Sequence, residues 1–155
     1  MFLTGVDATR PGSYAVERVK QLLETRLHSE PYKTTFTTWG QVEVFGDWAT
    51  ATEGLRTQRP LLVLEVAGIA EDPEGVIADG RRNLIEISIE VVTGPRCAPA
   101  ESLLKDALKH ILEGAEDQLD ALALEESEFK AGQGRYENPA RINPHTLSLA
   151  VHCAD

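Results

Sequence analysis

Hydrophobic and polar residues alternate most cleanly over Asn83–Thr93, where Ile85, Ile87, Ile89 and Val91 share one side and Glu86, Ser88 and Glu90 the other. A period of two with one polar side predicts a half-buried antiparallel strand, and Gly94-Pro95 ends it. The same alternation returns over 146–153, with Leu147, Leu149, Val151 and Cys153 set against Ser148, Ala150 and His152. Leu61–Ala67 is apolar enough for a strand buried on at least one face. Lys33–Trp39 is rich in threonine and aromatic residues and predicts an extended segment, which Gln41–Phe45 continues past Gly40. Residues 121–130 are ambiguous by period, and the spacing of Leu122, Leu124 and Phe129 favours a strand.

Two stretches follow the helical period instead. Val16, Val19, Leu22, Leu23 and Leu27 predict a helix over 14–28 with Ser13 as its N-cap. Leu103, Leu104, Ala107, Leu108, Ile111 and Leu112 predict a second over 101–113, stopped at Gly114. Residues 1–12 read as an irregular N-terminal arm, and 46–60, 68–82 and 131–145 as loops, on their glycine, proline and polar content. The order is helix, three strands, helix, two strands (α-β-β-β-α-β-β). That predicts one α+β domain over 13–155, with two amphipathic helices packed on a mostly antiparallel sheet of about five strands. The polar side of 83–93 implies that the sheet is covered on one face only in the monomer.

A length of 155 residues suits a single domain. With 15 Lys and Arg against 25 Asp and Glu the formal net charge is −10. That excludes general nucleic-acid binding, which needs clustered cations to neutralise phosphates. The excess acid is concentrated: residues 101–128 hold nine carboxylates against Lys105 and Lys109. Two cysteines, Cys97 and Cys153, do not make a disulfide scaffold, and free thiols in a reducing cytoplasm are expected. Met1–Asp7 has neither a basic start nor an apolar run, so no signal peptide is expected. No stretch approaches the roughly 20 apolar residues that span a bilayer.

Candidate chemistry is sparse. His145, His152 and Cys153 are the only group that suggests a metal, but neighbours on a strand point to opposite faces, so no metal site and no cofactor are expected. Gly132-Gln133-Gly134-Arg135 lacks a phosphate-loop lysine and opens no helix. Glu125, Glu126 and Glu128 fit a solvated acidic face better than a cation site. No Ser or Cys stands in a nucleophile context. What remains are two long connections, one carrying Arg81 and Arg82, the other Arg135, Tyr136 and Arg141. Each is either a plain surface loop or an interface, since long loops are often ordered by a partner and Arg and Tyr are favoured anchors.

The chain resembles the tail terminator (tail completion) proteins of long-tailed bacteriophages. The likeness runs over about residues 13–153. It rests on the helix 14–28, the extended segment 33–45, the pair Arg59–Leu64 and Asn83–Val91, the helix 101–113 and the closing strand 146–153. The N-terminal arm and the 68–82 insert depart from the leanest members of that family. The resemblance implies a non-enzymatic virion protein at the tail–neck junction, assembled in the host bacterial cytoplasm, and without a cofactor. It implies a homo-oligomeric ring, hexameric in that family, that caps the major tail tube protein, stops its polymerisation and docks the head-completion or neck protein. DNA would pass the lumen without specific binding, and no membrane is involved. Contacts in the ring would use Arg81, Arg82, Arg135, Tyr136 and Arg141. Two alternatives stand beside it: another neck or head–tail joining protein, and a small cytoplasmic enzyme or ligand-binding domain.

Overall fold

A computed structural model describes residues 2–48, 59–77, 80–137 and 139–154. The elements in chain order are α1 (Gly5–Thr9), α2 (Pro11–Leu27), α3 (Tyr32–Thr35), a single 3₁₀ turn (Thr37–Trp39), β1 (Glu43–Phe45), β2 (Leu61–Ile77) and β3 (Gly80–Thr93). There follow α4 (Ala100–Glu113), α5 (Glu116–Ala121), β4 (Leu124–Ala131), β5 (Arg135–Glu137) and β6 (Ala140–Ala154). The chain is α+β, with one six-stranded sheet in the order β1-β2-β3-β6-β4 and β5 paired to β6. Only β1 runs parallel to its neighbour, β2; the other pairings are antiparallel.

The alternating isoleucines place the core. Ile85, Ile87, Ile89 and Val91 of β3 are buried together with Leu62 and Leu64 of β2 and Leu147, Leu149 and Val151 of β6. Over that face α2 lays Tyr14, Val16, Val19, Leu23 and Leu27, and α4 lays Leu104, Leu108, Ile111 and Leu112. The opposite face is not wholly open, as the polar side of 83–93 had implied. At one end Leu61, Val63, Val92, Ala140 and Ile142 form a second buried cluster, with Phe45 and Trp48 packed against it.

Several expectations require correction. Lys33–Trp39 is helical, because local hydrogen bonds override its β-propensity. The Thr35 hydroxyl donates to the Pro31 carbonyl at 3.0 Å, Thr37 to the Lys33 carbonyl at 2.8 Å and Thr34 to a Glu30 carboxylate oxygen at 2.6 Å. The described residues of the 68–82 stretch are strand and not loop: β2 and β3 continue as a two-stranded ribbon with Glu71 opposite Asn83 and Asp72 opposite Arg82. Its alternation is hidden by a register shift between Val66 and Gly68, which leaves Ala67 unmatched and puts the side chains of Val66 and Ile69 on the same face. Among the described residues of 135–145, also read as loop, Arg135–Glu137 form β5 and Ala140 to His145 the first six residues of β6, with Pro144 opposite Glu90.

The start of the chain differs as well. Helix α2 begins at Pro11, whose missing N–H is harmless at a first helical position, and its N-cap is Arg10 and not Ser13. Residues expected as an irregular arm include α1 and a parallel bridge from Leu3 to Cys153, with the Leu3 N–H donating to the His152 carbonyl at 2.8 Å. Residues 116–121 fold as α5, and β4 begins only at Leu124 after Ala123 takes a positive φ of 61°. The loop expected over 46–60 lies mostly outside the described residues.

Candidate interaction surfaces

Arg135, Tyr136 and Arg141 meet on one small hairpin. Arg135 stands opposite Ile142 and Tyr136 opposite Arg141, and because successive residues point to opposite faces, the three side chains divide between both sides of the sheet. Arg135 reaches Glu137 at 3.0 Å and Glu90 of β3 at 3.3 Å. Its hydrogen bond to Glu137, with Glu90 adding to it, pushes the guanidinium above its already high ordinary value. Arg141 binds Glu101 of α4 at 2.8 Å. The hairpin is thus tied to β3 on one face and to α4 on the other, while Tyr136 is 68% exposed. Gly134 is required beside it, because a Cβ there would come within 2.6 Å of Asn143 Oδ1. The Asn143 amide nitrogen itself is buried with no hydrogen-bond partner among the described residues.

Arg81 and Arg82 lie at the other end of β3, about 35 Å away at the usual strand rise. Arg81 donates to the Ala8 carbonyl at 3.0 Å and so fastens α1 to the sheet. Arg82 pairs with Asp72 across the ribbon and approaches Glu125 of β4 at 4.0 Å. The five expected interface residues therefore make two separate places, and each of the four arginines already has an acceptor within the chain.

The acidic stretch 101–128 gathers on α4, α5 and β4. Burial, then the charges of Glu116 and Glu113, push the Glu126 carboxyl up. No three His, Cys, Asp or Glu side chains among the described residues are grouped to hold a metal ion. Both thiols are free and buried. Cys97 Sγ accepts the Gly94 N–H at 3.2 Å, and burial raises its pKa. His145 is buried against Phe129, ring centroids 5.6 Å apart, with Nδ1 3.2 Å from the Asn143 carbonyl. Burial lowers its pKa, and nearby Lys105 acts in the same direction.

Two features escaped the sequence reading. Thr38, Trp39, Arg59 and Arg96 line a depression of about 360 Å³, with Arg59 held by Glu43 at 3.3 Å. Beside β2, a groove of about 500 Å³ runs between α2 and the turn after β1. Only the pairing of β1 and β2 reveals it, since nothing in residues 65–71 says which element lies beside them. No described helix is long and apolar enough to cross a membrane.

No family model matches the chain, and no curated protein does. One solved chain, whose name states no function, is similar at 15% identity over 87% of this chain and 94% of that one, with a TM-score of 0.40. That level of likeness carries no argument about fold or function.

Proposed function

We propose that the protein is a structural virion component of the bacteriophage tail terminator type, a ring that caps the tail tube, stops its polymerisation and docks the neck. The observation that supports this reading best is the β5–β6 hairpin. It presents Tyr136, 68% exposed, on a projection held by Arg135 to Glu90 and by Arg141 to Glu101. An exposed aromatic on a braced, two-stranded support is the kind of anchor that gives an interface much of its energy at little ordering cost. A ring needs heterologous contacts that close by rotation, and this hairpin would insert into a different surface of the next subunit. The acidic stretch 101–128 would line the lumen or outer rim, where DNA passes without being held. On this reading the protein turns over no substrate, needs no cofactor, and resides at the tail–neck junction after assembly in the bacterial cytoplasm.

Negative-stain imaging of the protein, alone and mixed with purified tail tubes, tests the proposal. Rings seated on one end of the tubes are expected. Bare tube ends with a uniform 17.0 kDa species would overturn it, and co-purification with portal in place of tube would move the protein to a neck role. In the same assay Arg135→Glu combined with Tyr136→Ala leaves the subunit folded and reduces ring formation at least tenfold; unchanged assembly removes the hairpin from the contact.

A further inference from the structure

Strand β4 meets β6 as far as Val151, opposite Leu124, and β6 runs on to Ala154. The next place on that edge is taken by residues before α1. The Leu3 N–H donates to the His152 carbonyl and the Ala154 N–H to the Leu3 carbonyl, both at 2.8 Å, in a parallel bridge opposite Cys153. Leu3 is buried in the main core, and the Phe2 ring stands edge-on to His152 with centroids 5.7 Å apart. Arg81 of β3 then holds α1 through the Ala8 carbonyl. Residues 2–9 thus form a strap across the ends of β3 and β6. Without it the β6 edge over His152–Ala154 is unpaired, and an unpaired edge takes up another strand.

The strap is seated on the fold without being built into it. Leu3 and Ala8 are buried, whereas Phe2 is 44% and Val6 70% exposed. Helix α1 has five residues, far fewer than the roughly 12 that a helix needs to persist alone. It is bounded by Gly5, with φ of 59°, and by Arg10, with φ of −140° and ψ of 60°. Between the strap and the sheet lies a groove of about 510 Å³, lined by Thr4, Gly5, Ala8, Thr9, Arg81 and Ala154. A segment with few buried side chains opens locally while the core stays folded. The non-helical Arg10, between α1 and the first residue of α2 at Pro11, is the hinge for that opening.

We infer that residues 2–9 are exchanged between neighbouring copies of this chain, each strap seating its Leu3 against Cys153 of the next subunit. The seat fits the same eight residues of any copy, so exchange needs no new complementary surface. Swapping an identical element is a low-cost route to an oligomer. Charge favours this segment: the whole chain carries −10, whereas residues 2–9 hold one acid, Asp7, and the seat presents Arg81. An arriving strap therefore escapes most of the repulsion between two acidic subunits. Val6, exposed in the closed form, lies one turn before the hinge, where exchange brings two subunits together and its burial is favourable. The chain's own strap competes at an effective concentration on the order of millimolar, so exchange grows as copies are brought together. The inference needs a second copy within reach and does not rest on the tail reading.

The test uses the full chain with p-benzoylphenylalanine in place of Phe2, so that irradiation joins residue 2 to the strand beside it. This protein is mixed to equilibrium with an excess of ¹⁵N-labelled native chain, and the joined peptides are identified by mass. Joins from residue 2 to the labelled 151–154 strand are expected. Their share should rise at least tenfold between about 10 μM and about 1 mM protein, as competition with an intramolecular strap requires. Joins confined to unlabelled strands at every concentration overturn the inference, as do mixed joins that fall outside 151–154. Leu3→Asp in the labelled partner empties that partner's seat and should raise the mixed joins at least threefold; a folded variant that leaves them unchanged overturns it. Hydrogen exchange of the dilute native protein reads the opening itself. The Leu3 and Ala154 amides should exchange together, at least a hundredfold faster than those of Ile89 and Leu147. One common rate for all four means that the strap opens only with the whole fold, which overturns the inference equally.

Discussion

The sheet has two bordering strands, and they are finished in opposite ways. β4 carries Glu125, Glu126, Glu128 and Lys130 along its length and has a register shift between Glu126 and Glu128. β2 carries nothing charged between Glu65 and Glu71 and leans its exposed Val66 and Ile69 toward α2. Both strands have a register shift, that of β2 leaving Ala67 unmatched, so the contrast lies in their side chains. Among the described residues β4 is lined with charge along its length, and β2 is without it over Val66–Ala70.

The largest effect removes the support common to both edges. Ile87 is fully buried, opposite Val66 on one side and Leu147 on the other. Ile87→Asp puts an unpaired charge there and should cost about 4 kcal/mol or more; a native melting curve for a soluble variant would contradict the core assignment. Next is the guarded edge alone. Replacing Glu125, Glu128 and Lys130 together by threonine should make self-association concentration-dependent in sedimentation velocity, with melting little changed. If the variant stays monomeric at every concentration, charge is not what closes β4.

A smaller effect comes from His145, which lies under β4 against Phe129. Its pKa is lowered in the folded state, so its neutral form is the one the fold accommodates. The stability it contributes is present above the unfolded value of about 6.5 and is lost as pH falls through the folded value. His145→Phe should flatten the decline of stability between pH 7.5 and pH 5.5 relative to the native chain; denaturant titrations that remain parallel would refute the assignment. The smallest concerns the entry to β4. Ala123 has φ of 61°, a left-handed conformation that costs a non-glycine residue about 1 kcal/mol. Ala123→Gly should recover about that amount, read as a rise in melting temperature.

Legibility in the sequence followed the length of uninterrupted period. β3 and α4 were visible because Ile85–Val91 and Leu104–Leu112 repeat without a break. The class and most of the strands followed from them. Where the backbone slips, the pattern disappeared: the shift after Val66 made half of β2 look like a loop, and Pro139 and Pro144 did the same for the start of β6. Threonine misled at 33–39 because its hydroxyl satisfies a helical carbonyl as readily as its branched Cβ suits a strand. Arg81, Arg82, Arg135, Tyr136 and Arg141 were legible as residues but not as places. Their separation into two ends of β3, and their acceptors Ala8, Asp72, Glu90 and Glu101, depend on pairings between segments far apart in the chain.

The position of β6 has a consequence for how the molecule is made. Residues 140–154 follow every other described strand in sequence, yet they form a central strand with β3 on one side and β4 and β5 on the other, and even Leu3 pairs with Cys153. A nascent chain emerging from the ribosome can form its helices and the β2–β3 ribbon, but it cannot complete the sheet until residue 154 has been synthesised and released from the exit tunnel. Until then the buried face of β3 has no neighbour on that side and is a target for chaperones. Loss of residues 146–154 is therefore a removal from the middle of the structure, and a stop codon before residue 146 leaves β4 and Leu3 without most of their strand partner.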